Sequence, residues 1–156
     1  WSAQGGTGGV LGWPVSDQTV VTGGVRQQFV GGVLTITNDG AIIQLSGAYY
    51  TYWSAGTNAT ALGAPIATVT SWTAGSVTGS YLVFERGMVM SSATTGTFAV
   101  LNGPIRNFWG SQGGSGGALG WPTADQLTVP EGIQQQFQGG TVVIPTTGPA
   151  YVVPIP

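Results

Sequence analysis

The sequence predicts a mainly β protein with short helices, its three tandem repeats forming a compact, pseudo-threefold, propeller- or trefoil-like closed body. Three observations lead there. The first is internal repetition, which signals repeat architecture before any element is assigned. Trp1-Ser-Ala-Gln-Gly-Gly-Thr-Gly-Gly-Val10 runs into Leu11-Gly12-Trp13-Pro14, and Trp109-Gly-Ser-Gln-Gly-Gly-Ser-Gly-Gly-Ala118 runs into Leu119-Gly120-Trp121-Pro122. Between them Trp53 leads to Leu62-Gly63-Ala64-Pro65, one residue shorter. The second is a Phe-x-x-Gly block downstream in each copy, at Phe29, Phe84 and Phe137. The third is a set of β-rich runs separated by hairpin signals.

Cutting before each repeat Trp divides the single 1–156 domain into 1–52, 53–108 and 109–156, of 52, 56 and 48 residues. In repeat 1 the runs 25–30, 33–37 and 41–45 read as strands, separated by Gly31-Gly32 and Asn38-Asp39-Gly40. Their counterparts are 81–85, 88–91 and 97–101, then 133–138, 141–144 and 150–153. Helical turns are expected at 48–54 and 104–110, where Pro104 suits a first turn that needs no N–H. In repeat 3, Pro154 and Pro156 forbid that helix. The Leu-Gly glycine stands 17 residues before the Phe in repeats 1 and 3 but 21 in repeat 2, so repeat 2 carries four extra residues, near Ser71–Val77 and including Trp72. A small meander cannot bury its own apolar face, so neighbours must cover it, and closure on itself would do so with three units.

Composition removes most functions. Of 156 residues only 8 are charged, 3 basic and 5 acidic, against about 25% in ordinary domains. Three scattered Arg cannot neutralise a phosphate backbone, which excludes nucleic acid. Without His or Cys there is no nitrogen or sulfur metal site, no Ser-His triad and no thiol nucleophile. No catalytic residue, metal ligand or cofactor is assigned. No apolar run approaches the ~18–20 residues that span a bilayer as a helix. The chain opens at Trp1 without an initiator Met or apolar leader, as a processed chain or excised fragment would.

The Leu-Gly-(aromatic)-Pro core, preceded by Trp and a Gly-rich loop and followed by Phe-x-x-Gly, resembles the LGFP repeat over the whole chain. The resemblance implies a non-catalytic, secreted, cell-envelope-associated module of the kind that holds actinobacterial envelope enzymes on cell-wall polysaccharide such as arabinogalactan.

Trp13 and Trp121 are the leading ligand candidates, because indoles stack on the apolar C–H faces of sugars. Asp17 and Asp125 follow four residues later in Trp-Pro-x-x-Asp-Gln, where a carboxylate can accept sugar hydroxyls, and Gln18 and Gln126 come next. Repeat 2 has Ala64, Thr68 and Val69 instead, so sites in repeats 1 and 3 alone are expected. Packing and turn roles compete with this reading: Trp1, Trp53 and Trp109 recur in every copy and read as core, and Asp17 and Asp125 suit Asx turns. The expected function is a carbohydrate-binding module for a neutral glycan or cell-wall polysaccharide. The alternative is a self-assembling extracellular structural protein, a homo-oligomer or larger assembly favoured by low charge and β edges. A glycosidase using two of Asp17, Asp39, Glu85, Asp125 or Glu131 is the weakest reading, since no pair has a context demanding a raised pKa.

Overall fold

The computed structural model describes residues 1–155. Each repeat holds a four-stranded antiparallel meander. Sheet 1 is β1 (Thr19–Val21), β2 (Gly24–Phe29), β3 (Gly32–Thr37) and β4 (Ile42–Ser46). Sheet 2 is β5 (Thr70–Ala74), β6 (Val77–Phe84), β7 (Gly87–Ser92) and β8 (Gly96–Leu101). Sheet 3 is β9 (Leu127–Val129), β10 (Gly132–Phe137), β11 (Gly140–Pro145) and β12 (Tyr151–Val153). Helices α1 (Gly47–Trp53) and α3 (Pro104–Ser111) follow sheets 1 and 2, and α2 (Asn58–Leu62) precedes Gly63. The expected strands and helices are present. The first strand of each sheet is additional, because runs as short as Thr19–Val21 carry too little alternation to stand out from loop. The four extra residues of repeat 2 lengthen one hairpin: β5 and β6 pair from Thr70↔Tyr81 to Ala74↔Val77.

The recurring residues seal each repeat. The indole N–H of the repeat Trp donates to the Leu-Gly carbonyl: Trp1 to Gly12 at 3.3 Å, Trp53 to Gly63 at 2.8 Å and Trp109 to Gly120 at 2.9 Å. Trp1 stacks on Phe29 with centroids 6.4 Å apart, and Trp109 stacks on Phe137 at 5.8 Å. Pro14, Pro65 and Pro122 each bridge to the Phe of their own repeat. The Leu-Gly leucines Leu11, Leu62 and Leu119 are buried with those Phe. The Phe-x-Gly-Gly turn runs so close to the preceding loop that a Cβ on Gly31 would sit 2.1 Å from the Val10 carbonyl, and one on Gly139 would sit 2.0 Å from that of Ala118. Repeat 2 has Arg86 there, facing α2 in place of a Gly loop. Arg86 donates to the Thr60 and Ala61 carbonyls at the end of that helix, a C-terminal role for a basic side chain. Its approach to Glu85, at 4.0 Å and exposed, contributes little.

The three sheets do not close into the propeller- or trefoil-like body expected from the repeat. Among the described residues each sheet is complete in itself, and no strand of one sheet pairs with a strand of another. The physical reason lies in the joints. Helix α1 touches β3 and β4 on one side and β7 and β8 on the other, whereas α3 lies between β8 and β10–β11. Tyr49 of α1 is buried among Val33, Leu45, Leu82 and Val89; Ile105 and Trp109 of α3 are buried among Met90, Val100, Phe137 and Val142. Repeating that step puts sheet 2 on sheet 1 and sheet 3 on sheet 2. Closure would bury the face of sheet 1 opposite α1, yet Ile36 and Ile42 remain 39% and 45% exposed. Among the described residues no buried cluster joins sheet 1 to sheet 3 to cover them.

Candidate functional site

The two Trp singled out by the sequence land in opposite surroundings. Trp13 is 67% exposed, whereas Trp121 is fully buried. Trp121 lies in one cluster with Ala74 and Val77 from the tip of the long β5–β6 hairpin. A Cβ on Gly79 would come within 2.9 Å of the Trp121 ring, so the indole needs the bare backbone of that glycine. Trp121 therefore fills the joint between repeats 2 and 3, and no ligand reaches its face.

Asp125 also works at that joint. Its Oδ1 accepts the Tyr52 hydroxyl at 2.5 Å and the Ala99 N–H at 3.0 Å. Burial, and after it the Asp125 carboxylate, push the Tyr52 phenol well above its ordinary pKa. The buried Gln135 amide donates to the Ala99 carbonyl at 2.7 Å and to the Ala124 carbonyl at 2.9 Å. Both outward-facing backbone groups of Ala99, on the edge strand β8, are thus satisfied by repeat 3, which blunts that edge. Gln126 is half-buried beside them. Asp17 and Gln18 are exposed, like Trp13. In repeat 1 all three candidates stay exposed; repeat 3 consumes Trp121 and Asp125 in packing.

Trp72, in the four-residue insertion of repeat 2, has no role expected from the sequence. The structure sets it at the mouth of a cleft of about 350 Å³ between the β5–β6 hairpin, α3 and the Gly-rich loop of repeat 3. Trp72 is 47% exposed. Its indole N–H donates to Ser115 Oγ at 2.9 Å, and its ring meets Tyr81 edge-on at 76°. Arg106 lines the same cleft, its guanidinium bonded to the Asn102 side-chain oxygen one turn earlier. The loop turns sharply there because Gly113 and Gly114 take φ of 92° and 60°. The cleft offers an oriented aromatic surface, a hydroxyl, a guanidinium and loop backbone, a set suited to binding a polar ring. The insertion at Trp72 was the legible signal.

Among the described residues no group of three or more His, Cys, Asp or Glu could hold a metal ion, and no helix is long and apolar enough to cross a membrane. The four-stranded meander with its Trp-to-Leu-Gly seal recurs three times, which sets the chain among tandem β-repeat proteins. A family model described as LGFP repeat matches residues 62–117 and 119–155, and the chain belongs to the LGFP repeat family. LGFP repeats are non-catalytic modules characteristic of secreted, cell-envelope-associated actinobacterial proteins. Each match begins at the Leu of Leu-Gly, Leu62 and Leu119, and the first runs through its sheet into the helix and loop beyond. No curated protein matches the chain.

Proposed function

We propose that the protein is a carbohydrate-binding module for a neutral cell-wall polysaccharide, and that the Trp72 cleft is its sugar site. One observation carries the reading: Trp72 presents nearly half its surface to solvent while Ser115 and Tyr81 hold its ring in place. An immobilised indole stacks on the C–H face of a pyranose or furanose without a further ordering cost. Arg106 and the Ser115 hydroxyl stand beside it for sugar oxygens. With only 8 charged residues in the chain, a neutral ligand suits the surface better than an anionic one.

Titration with arabinogalactan, followed by intrinsic Trp fluorescence and calorimetry, tests the reading. Trp72→Ala should weaken binding at least about tenfold, equivalent to ~1.4 kcal/mol, while Trp72→Phe should keep part of it. Unchanged affinity in Trp72→Ala, or no response of the parent protein to arabinogalactan and its arabinan and galactan fragments, defeats the proposal.

A further inference from the structure

We propose that the open face of sheet 1 docks a further LGFP-type repeat, and specifically one with the lengthened hairpin found here only in repeat 2. The joint between repeats 2 and 3 is the template. There Trp121 enters the hairpin tip at Ala74, Val77 and Gly79, Asp125 takes the Ala99 N–H, and Gln135 takes the Ala99 carbonyl.

Sheet 1 carries the same three side chains at the same positions, Trp13, Asp17 and Gln27, and among the described residues no repeat lies opposite them. Gln27 is already poised. Its amide donates to the Ser16 carbonyl at 3.1 Å, as Gln135 donates to the equivalent Ala124 carbonyl, so half of the two-way bond is made and the inter-repeat half is open. Trp1, Gln18, Gln27 and Leu34 border a cleft of about 100 Å³ on this face. Trp1 is 44% exposed, whereas its counterpart Trp109, covered by repeat 2, is 7% exposed.

The joint between repeats 1 and 2 says which partner fits. Its hairpin, β1–β2, pairs only from Thr19↔Arg26 to Val21↔Gly24 and stops short of an indole slot. The corresponding positions of repeat 2 hold Ala64, Thr68 and Leu82 in place of Trp, Asp and Gln. On the edge strand β4, Gln44 turns its amide to Ser46 Oγ. Two joint types therefore occur in one chain: long hairpin with Trp-Asp-Gln, and short hairpin with Ala-Thr-Leu. Sheet 1 displays the first set and so requires a long-hairpin neighbour. Repeat 3 cannot serve as that neighbour from a second copy, because β9–β10 is as short as β1–β2, pairing only from Gln134↔Leu127 to Gly132↔Val129.

A fusion tests this on the full chain. A second copy of residues 53–108 placed directly before Trp1 joins Phe108 to a Trp as it is joined to Trp109. With 5-fluorotryptophan incorporated and Trp13 assigned by Trp13→Phe, the Trp13 fluorine signal should lose its H₂O/D₂O isotope shift in the fusion and keep it in the parent. Amide exchange at the added copy's counterpart of Ala99 should slow, and Asp17→Ala should speed it at least tenfold with the rest of the added sheet unchanged. A Trp13 that stays solvent-shifted in the fusion overturns the proposal. So does burial of Trp13 in the unextended chain on raising concentration, which would make a second copy the occupant, or movement of the Trp13 signal by arabinogalactan in the fusion.

Discussion

The Tyr52 hydroxyl donates to Asp125 Oδ1 at 2.5 Å across 73 positions of sequence, tying the helix after sheet 1 to the loop before sheet 3. The bond passes over the edge of sheet 2, because the same oxygen accepts the Ala99 N–H. One carboxylate thus holds elements of all three repeats. Asp125→Ala would leave the Tyr52 phenol without an acceptor at a partly buried site, and the Ala99 N–H with only its longer bond to the Tyr52 oxygen at 3.2 Å. Leaving such donors unsatisfied costs about 1–3 kcal/mol, so Asp125→Ala should lower stability by about 2 kcal/mol in urea unfolding. Tyr52→Phe removes one donor and leaves Asp125 bonded to Ala99, so its loss should be under about 1.5 kcal/mol. In a double-mutant cycle the two losses should fall short of additivity.

Alkaline pH should expose the same contact. The Tyr52 pKa is raised, first by burial and then by the neighbouring carboxylate; that of Tyr49 is raised by burial against a smaller opposing effect of Ser80. A raised folded pKa means the neutral phenol is favoured in the fold. The stability from these two phenols is full below the unfolded-chain value of 10.0 and falls as pH rises beyond it, since the unfolded chain then ionises first. Urea midpoints should be flat with respect to these groups up to about pH 9.5 and decline above it. Tyr52→Phe should flatten part of that decline. Absorbance at 295 nm should show two phenols ionising only together with unfolding; ionisation of all five Tyr ahead of unfolding contradicts the burial.

Much of a single repeat was legible in the chain. Trp, Leu-Gly and Phe recur because they seal one unit internally, through the indole-to-carbonyl bond and the Trp–Phe stack. Gly31-Gly32 and Asn38-Asp39-Gly40 marked real turns, and Pro104 marked a real helix start. The stacking was not legible. Trp13 and Trp121 share the same local sequence, Leu-Gly-Trp-Pro, yet one is exposed and the other buried. Their difference lies in the neighbour, and specifically in hairpin residues some forty positions earlier. Closure failed as an expectation for a related reason: a repeat motif encodes the step from one unit to the next, and the helices set that step between sheets as a stack.

That neighbour dependence makes the two Trp unequal in energy. Trp121→Ala removes an indole with 0% exposure from a cluster that includes Ala74, Val77, Ile105 and Phe137. Large aromatic deletions from cores cost about 3–5 kcal/mol, and the stiff sheets on either side leave little room to collapse. Trp13→Ala deletes the same side chain from a surface where it is 67% exposed, so the loss should stay within about 0.5 kcal/mol. Trp121→Phe separates packing from hydrogen bonding. Among the described residues no acceptor meets the Trp121 indole N–H, so exchanging it for a ring without a donor forfeits volume but no bond. Its cost should fall well below that of Trp121→Ala, at about 1–2 kcal/mol. Chemical denaturation of the three variants checks the order; equal losses in Trp13→Ala and Trp121→Ala would contradict the open stack.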